Sequence, residues 1–321
     1  MRKLLKRKRS HKMKIIFAGT PEFAVPSLEA LVEHNFDVAL VISQEDRPRG
    51  RGKKLQPTPV KKRAMELGLE VYQPSSINSE ESIERLKEVG ADFLVVAAFG
   101  QILKKEVLSI AKVDSINVHA SLLPKYRGAA PINWAIINGE DETGITIMKI
   151  EEGLDTGDMI SKAAIPILYE DDAITVHDKL SKLGGEILVS TLKDIMDGKA
   201  SYTPQNDDES SYAPMLSRET GRIDWSKSSR DIFNLIRGLK PWPGSFTNYG
   251  DDLVKIHSLR VLDEAIEGQA GEIVKVSNEG LYVATGDGVV IIEELQFPNK
   301  RRMKVREYLA GNSIESGRIL K

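Results

Sequence analysis

Apolar positions along this chain follow two rhythms. Short β-branched runs occupy residues 14–18 (KIIFA), 37–43, 71–73, 92–99 (DFLVVAAF), 115–118, 143–150 and 157–167. Between them, residues 25–34, 58–67, 79–89, 130–138 and 173–196 repeat apolar residues at helical spacing, which predicts amphipathic helices. Ser79 stands where a helix N-cap belongs, and Gly68 where the second helix should stop. The run 92–99 is apolar at both alternating sets of positions, as in a strand covered on both faces. Strands alternating with helices predict a doubly wound, mostly parallel α/β sheet.

The rhythm changes near residue 199. Residues 199–216 are polar and rich in Asp, Ser, Pro and Tyr, and read as a linker. Beyond it a helix (229–239) precedes short strands at 245–248, 254–261, 271–276, 281–285 and 289–295. Turn signals such as Asn278-Glu279-Gly280 and Gly286-Asp287-Gly288 separate them. Five short strands predict a small β-barrel. With 321 residues the chain exceeds what one core usually fills, so two domains are expected: 13–198 and 217–321.

Composition removes several chemistries. The chain has no cysteine, which excludes disulfides, thiol nucleophiles and thiolate-bound zinc and fits a reducing, cytoplasmic setting. His11, His34, His119, His177 and His257 lack metal-ligand spacing, so no metal is expected. No apolar run approaches the ~20 residues of a membrane-spanning helix. Residues 1–12 hold seven Lys/Arg and no acid, but no apolar stretch follows as in a secretory signal.

The net charge of −2 conceals an uneven distribution. Residues 1–12 carry +7, residues 13–216 carry −10 and residues 217–321 carry +1. Within the acidic middle, residues 45–63 hold eight basic and two acidic side chains. A basic island in an acidic body suggests local contact with a polyanion, and a solvated loop is the competing reading.

Three segments could carry chemistry. The first strand ends in Gly19-Thr20-Pro21-Glu22, which lacks the glycines of a dinucleotide-binding turn and disfavours NAD or FAD. The densest cluster is 115–131 (SINVHASLLPKYRGAAP). Strand alternation puts Asn117 and His119 on one side, at the edge where open α/β sheets bind ligands. A core histidine is the competing reading. Downstream, Gly153-Leu154-Asp155-Thr156-Gly157-Asp158 places two acids about a turn, either an ordinary Asp–Gly turn or a carboxylate for general-base work.

Taken together, 17–24 (FAGTPEFA), 117–131 and 153–158 resemble the signatures of the methionyl-tRNA formyltransferase family, over nearly the whole chain from Met13. The resemblance implies a Rossmann-like formyltransferase domain followed by an OB-like domain. It implies 10-formyltetrahydrofolate as co-substrate and initiator methionyl-tRNA as acceptor, used by a monomer in translation initiation. Asn117, His119 and Asp155 match the family's catalytic trio, and Ser121, Leu122, Leu123 and Pro124 its folate segment. Arg51 matches a position contacting the tRNA acceptor stem. Arg47, Arg49, Lys53 and Lys54 surround it. Members of the family begin near Met13, so residues 1–12 are extra, and a start codon assigned too early is preferred to a basic arm.

These expectations leave rivals. A folate-dependent formyltransferase acting on an amino-sugar nucleotide would keep the trio but have no use for the basic loop. A tRNA-binding protein with a dead catalytic domain would not need the trio. A formylfolate hydrolase would use water as acceptor and usually carries a regulatory domain ahead of the catalytic one. Lys300, Arg301, Arg302, Lys304 and Arg306 form a second basic cluster, expected to meet the RNA body.

Overall fold

The computed structural model describes residues 13–49, 54–262 and 267–321. They form two compact units. One comprises 13–124, 144–163 and 178–210; the other comprises 125–143, 164–177 and 211–321.

A seven-stranded sheet runs through β1 (Lys14–Gly19), β2 (Asp37–Ile42), β3 (Val71–Tyr72), β4 (Phe93–Ala97), β5 (Asp114–His119), β6 (Glu142–Lys149) and β7 (Met159–Pro166). Its strand order is β7-β6-β5-β4-β1-β2-β3. β1, β2, β3, β4 and β5 pair in parallel, and β6 runs antiparallel to β5. This is the Rossmann-like order, whose direction of winding reverses between β1 and β4. All five residues of β4 are buried, as its apolar run predicts for a strand covered on both faces.

Local signals set the helix ends. Thr58 accepts from Lys61 N and caps Pro59–Glu66, and Ser79 accepts from Ser82 N and caps Glu80–Val89. The long helix Ala173–Met196 lies close to its neighbours through glycine: a Cβ on Gly185 would meet Pro26 O at 2.8 Å.

Two stretches differ from the sequence expectation. The polar run after β2 contains a hairpin, Arg47–Arg49 paired antiparallel with Lys54–Gln56. The expected linker is pinned: Thr203 exchanges backbone hydrogen bonds with Met159, each 2.9 Å. Tyr212 and Ala213 pair in parallel with Arg127 and Gly128.

In the second unit a largely antiparallel sheet is built from β8 (Ser245–Tyr249), β9 (Asp252–Leu262), β10 (Ile273–Ser277), β11 (Gly280–Ala284) and β12 (Val289–Gln296). The order is β8-β9-β12-β11-β10. β9 changes register between Ile256 and Leu259, an irregularity that bends a strand and helps a sheet curl. The C-terminal residues then bridge the two outer strands. Ile273 N on β10 donates to Arg318 O (2.9 Å), while Asn248 on β8 exchanges hydrogen bonds with Lys321 (2.7 and 3.1 Å). That closure gives the OB-like barrel. Ile223, Trp225, Ile232, Val283, Ile292 and Leu320 lie in its core. The Trp225 indole N–H is satisfied by Thr247 Oγ1 at 2.9 Å.

Candidate active site

β5 carries the polar pair. Asn117 stands between Val96 of β4 and Met148 of β6, and His119 opposite Thr146 of β6. Two residues apart on a strand, both side chains project from one face. His119 is 5% exposed, so its ring lies out of bulk water. Its Nδ1 is 3.7 Å from Asp155 Oδ2, an ion-pair distance longer than a direct hydrogen bond. The fold thus brings together an imidazole and a carboxylate from separate segments.

The turn holding Asp155 is constrained. Asp155 has φ +51°, a left-handed conformation uncommon outside Gly, Asn and Asp and often retained at functional sites. Gln205 fixes it: its Nε2 donates to Asp155 O at 2.7 Å and Gly157 O at 2.8 Å. Gly157 is demanded by space, since a Cβ there would meet Lys149 O at 2.1 Å. Gln205 was not singled out from sequence. It lies in the polar stretch read as a linker, and nothing local marks it.

The segment 121–124 after β5 is held by its backbone. Thr146 Oγ1 donates to Ser121 O (2.7 Å) and accepts from Leu123 N (3.1 Å), and Lys162 donates to Leu123 O. Ser121, Leu123 and Pro124 are buried, while Leu122 is half-buried. Leu123 packs with Met148 and Met159, so its side chain anchors the segment. Thr146 and Lys162 are contributors that sequence reasoning missed.

The basic hairpin is anchored at its base. Asp46 accepts from Lys61 Nζ at 2.7 Å and from Gln73 Nε2 at 2.8 Å. Gln73 also accepts from Lys61 at 2.7 Å and donates to Gln44 O at 2.6 Å. The lysine hydrogen bond, then the Gln73 amide, hold the Asp46 carboxyl below its usual range. Arg47 is exposed. Arg49 and Lys54 lie on the two hairpin strands, and Arg51 and Lys53 fall outside the described residues. In the second basic cluster, Arg302 pairs with Glu294 and Arg301 Nη2 lies 3.5 Å from Glu307. Among the described residues no group of three or more His, Asp or Glu could hold a metal ion, and no helix is long and apolar enough to cross a membrane.

Comparison with known proteins places this geometry. Residues 12–192 match the family model described as formyl transferase, and 215–313 match formyl transferase, C-terminal domain. The chain is 50% identical over 308 residues to the methionyl-tRNA formyltransferase of Clostridioides difficile (strain 630), covering 96% of this chain and 100% of that one. This chain belongs to the methionyl-tRNA formyltransferase family. The formyltransferase of Clostridium novyi (strain NT) is similar at 52% identity over 310 residues, covering 96% of this chain and 100% of that one. Among solved structures, WlaRD, a sugar 3N-formyl transferase crystallised in the presence of dTDP and 5-N-formyl-THF, aligns with a TM-score of 0.68 at 24% identity. It covers 91% of this chain and 100% of its own length, and shares the formyltransferase fold.

Proposed function

We propose that the enzyme transfers the formyl group of 10-formyltetrahydrofolate to the amino group of methionyl-tRNA, the initiator species, releasing tetrahydrofolate for another one-carbon cycle. The work is cytoplasmic. The observation carrying this reading is the His119–Asp155 pair, 3.7 Å apart, on the sheet edge it shares with Asn117 in a chain of this family.

The residues divide the chemistry. The Asn117 amide and the His119 ring donate hydrogen bonds to the formyl oxygen as negative charge grows there, each such donor being worth ~3–4 kcal/mol in the transition state. The incoming amine must be neutral to attack. It then sheds one proton, which Asp155 takes directly or through one water. His119 delivers one proton to N10 as the old C–N bond breaks, so protons balance. Asp155 also orients the ring. The folate fits segment 121–124 through the half-buried Leu122, an apolar surface for a flat heterocycle, on a backbone already held by Thr146 and Lys162.

Arg47, Arg49, Arg51, Lys53 and Lys54 supply phosphate contacts to the acceptor stem. That term weakens with salt, and side chains can enter an A-form major groove only near an end or mismatch. Residues 13–198 carry the catalytic residues, although 125–143 and 164–177 belong to the second compact unit; the pinned stretch 199–216 follows them, and 217–321 hold the RNA body, with Lys300, Lys304 and Arg306 among the contacts.

A transfer assay with labelled 10-formyltetrahydrofolate tests this. Label should appear on charged initiator tRNA and not on an amino-sugar nucleotide, and the reverse result would establish the small-amine rival. Asp46→Asn should raise the KM for the tRNA roughly three- to tenfold through loss of a charge-assisted anchor, with the folate KM unchanged. The anchor is complete above the ordinary carboxylate pKa of 3.8 and fades as pH falls through the lower folded value. The Asn variant should therefore lack this acid sensitivity of tRNA binding. Equal losses for both substrates would contradict the assignment.

A further inference from the structure

The catalytic scheme leaves one cavity unused. It lies over the carboxyl ends of β1, β2 and β4 and encloses about 330 Å³, within the range of small-ligand pockets. This is the switch point of the sheet, where β2 and β4 flank β1 on opposite sides and where open α/β sheets take their ligands.

Its walls are prepared. Thr20 Oγ1 donates to Phe99 O at 2.8 Å and accepts from Gln44 N at 3.3 Å, and Gln44 Nε2 also reaches Phe99 O at 3.3 Å. These bonds tie the ends of three strands together. Ala98 on the rim has φ +46°, a left-handed conformation that costs a non-glycine residue free energy and marks a site held in place by its surroundings. The hairpin supplies the other wall. Arg47 and Gln56 are cross-strand partners and both line the cavity. The next pair, Pro48 and Leu55, belongs to the opposite face by alternation, and Leu55 is 70% exposed. The hairpin thus sets its polar pair, both side chains exposed, along the border of the cavity.

We propose that this cavity receives the 3′-terminal adenosine of the acceptor tRNA. The inference rests on the function proposed above and names the part of the substrate that this pocket reads. Carboxamides such as Gln44 and Gln56 match the donor–acceptor edge of adenine. The Arg47 guanidinium suits the phosphate preceding that nucleoside. Pro21 and the exposed Ala98 give apolar wall for the base, while the Phe99 ring packs into the core beneath. The position also serves the chemistry. β4 and β5 run in parallel with Val96 beside Asn117, so the chain leaving β4 into the cavity wall borders the strand end that carries His119.

Calorimetric titration of the full chain with adenosine 5′-monophosphate tests the proposal. The nucleotide should bind, compete with methionyl-tRNA in the transfer assay, and outcompete cytidine 5′-monophosphate. Gln44→Leu and Gln56→Ala should each weaken its binding about tenfold, the loss of one or two hydrogen bonds, with the folate KM unchanged. Competition by methionine amide that these variants abolish, with none by the nucleotide, would reassign the cavity to the amino-acid side chain and overturn the proposal. So would nucleotide binding that neither variant alters. Nucleotide binding by a chain that fails to formylate charged tRNA would instead defeat the functional reading and leave the cavity a nucleoside site.

Discussion

Asp155→Asn is expected to lower the turnover number for formyl transfer about a thousandfold, the usual worth of a positioned acid–base group, while the KM for the folate changes less than about twofold. Asn keeps the shape of the side chain and tolerates the left-handed conformation that Asp155 holds at φ +51°. The turn should therefore survive, with Gln205 still bonded to the carbonyls of residues 155 and 157. The change removes only the negative charge and the capacity to take a proton from the attacking amine. Single-turnover measurement with both substrates saturating isolates that step. A variant within tenfold of the parent enzyme would move the proton acceptor elsewhere and leave Asp155 a structural residue.

Removing residues 318–321 should lower the melting temperature by roughly 10–20 °C, since about 5 kcal/mol at stake translates into a shift of that size for a domain of this length. The four residues are woven into the barrel. Leu320 is 5% exposed in the core, a burial worth roughly 1.5–3 kcal/mol. Hydrogen bonds from Ile273 N to Arg318 O, Leu320 N to Gly271 O, and between Asn248 and Lys321 add about 0.5–1.5 kcal/mol each. Domains are stable by only about 5–15 kcal/mol, so the loss should be large. Calorimetry of the truncated chain checks it, and a shift under about 3 °C would mean that the barrel closes without its tail.

Much of the first unit could be read from periodicity, because its strands and helices declare themselves locally. The run at 92–99 predicts a doubly covered strand, and the apolar stripe of 173–196 predicts the helix at its observed bounds. Other features were not readable, because what holds them is distant in sequence. The Arg47–Arg49 hairpin has no apolar alternation, and its base is fixed by Lys61 and Gln73. The tail at 318–321 has no pattern of its own and takes its shape from its hydrogen bonds to β8 and to residues 271–273. In the site, alternation sets Asn117 and His119 on one side of a strand. The 3.7 Å approach of Asp155 depends on how a separate segment folds back, which spacing alone does not reveal. Gln205 and Thr146 stayed hidden for the same reason.

The contacts made by Thr203 and Gln205 also bear on how this enzyme can be rebuilt. A chimera joined at residue 192, where the first family match ends, would replace the glutamine that clamps the carboxylate turn. Its failure could then be blamed wrongly on the grafted C-terminal half. A seam set beyond residue 205 carries that clamp along with the chemistry it supports.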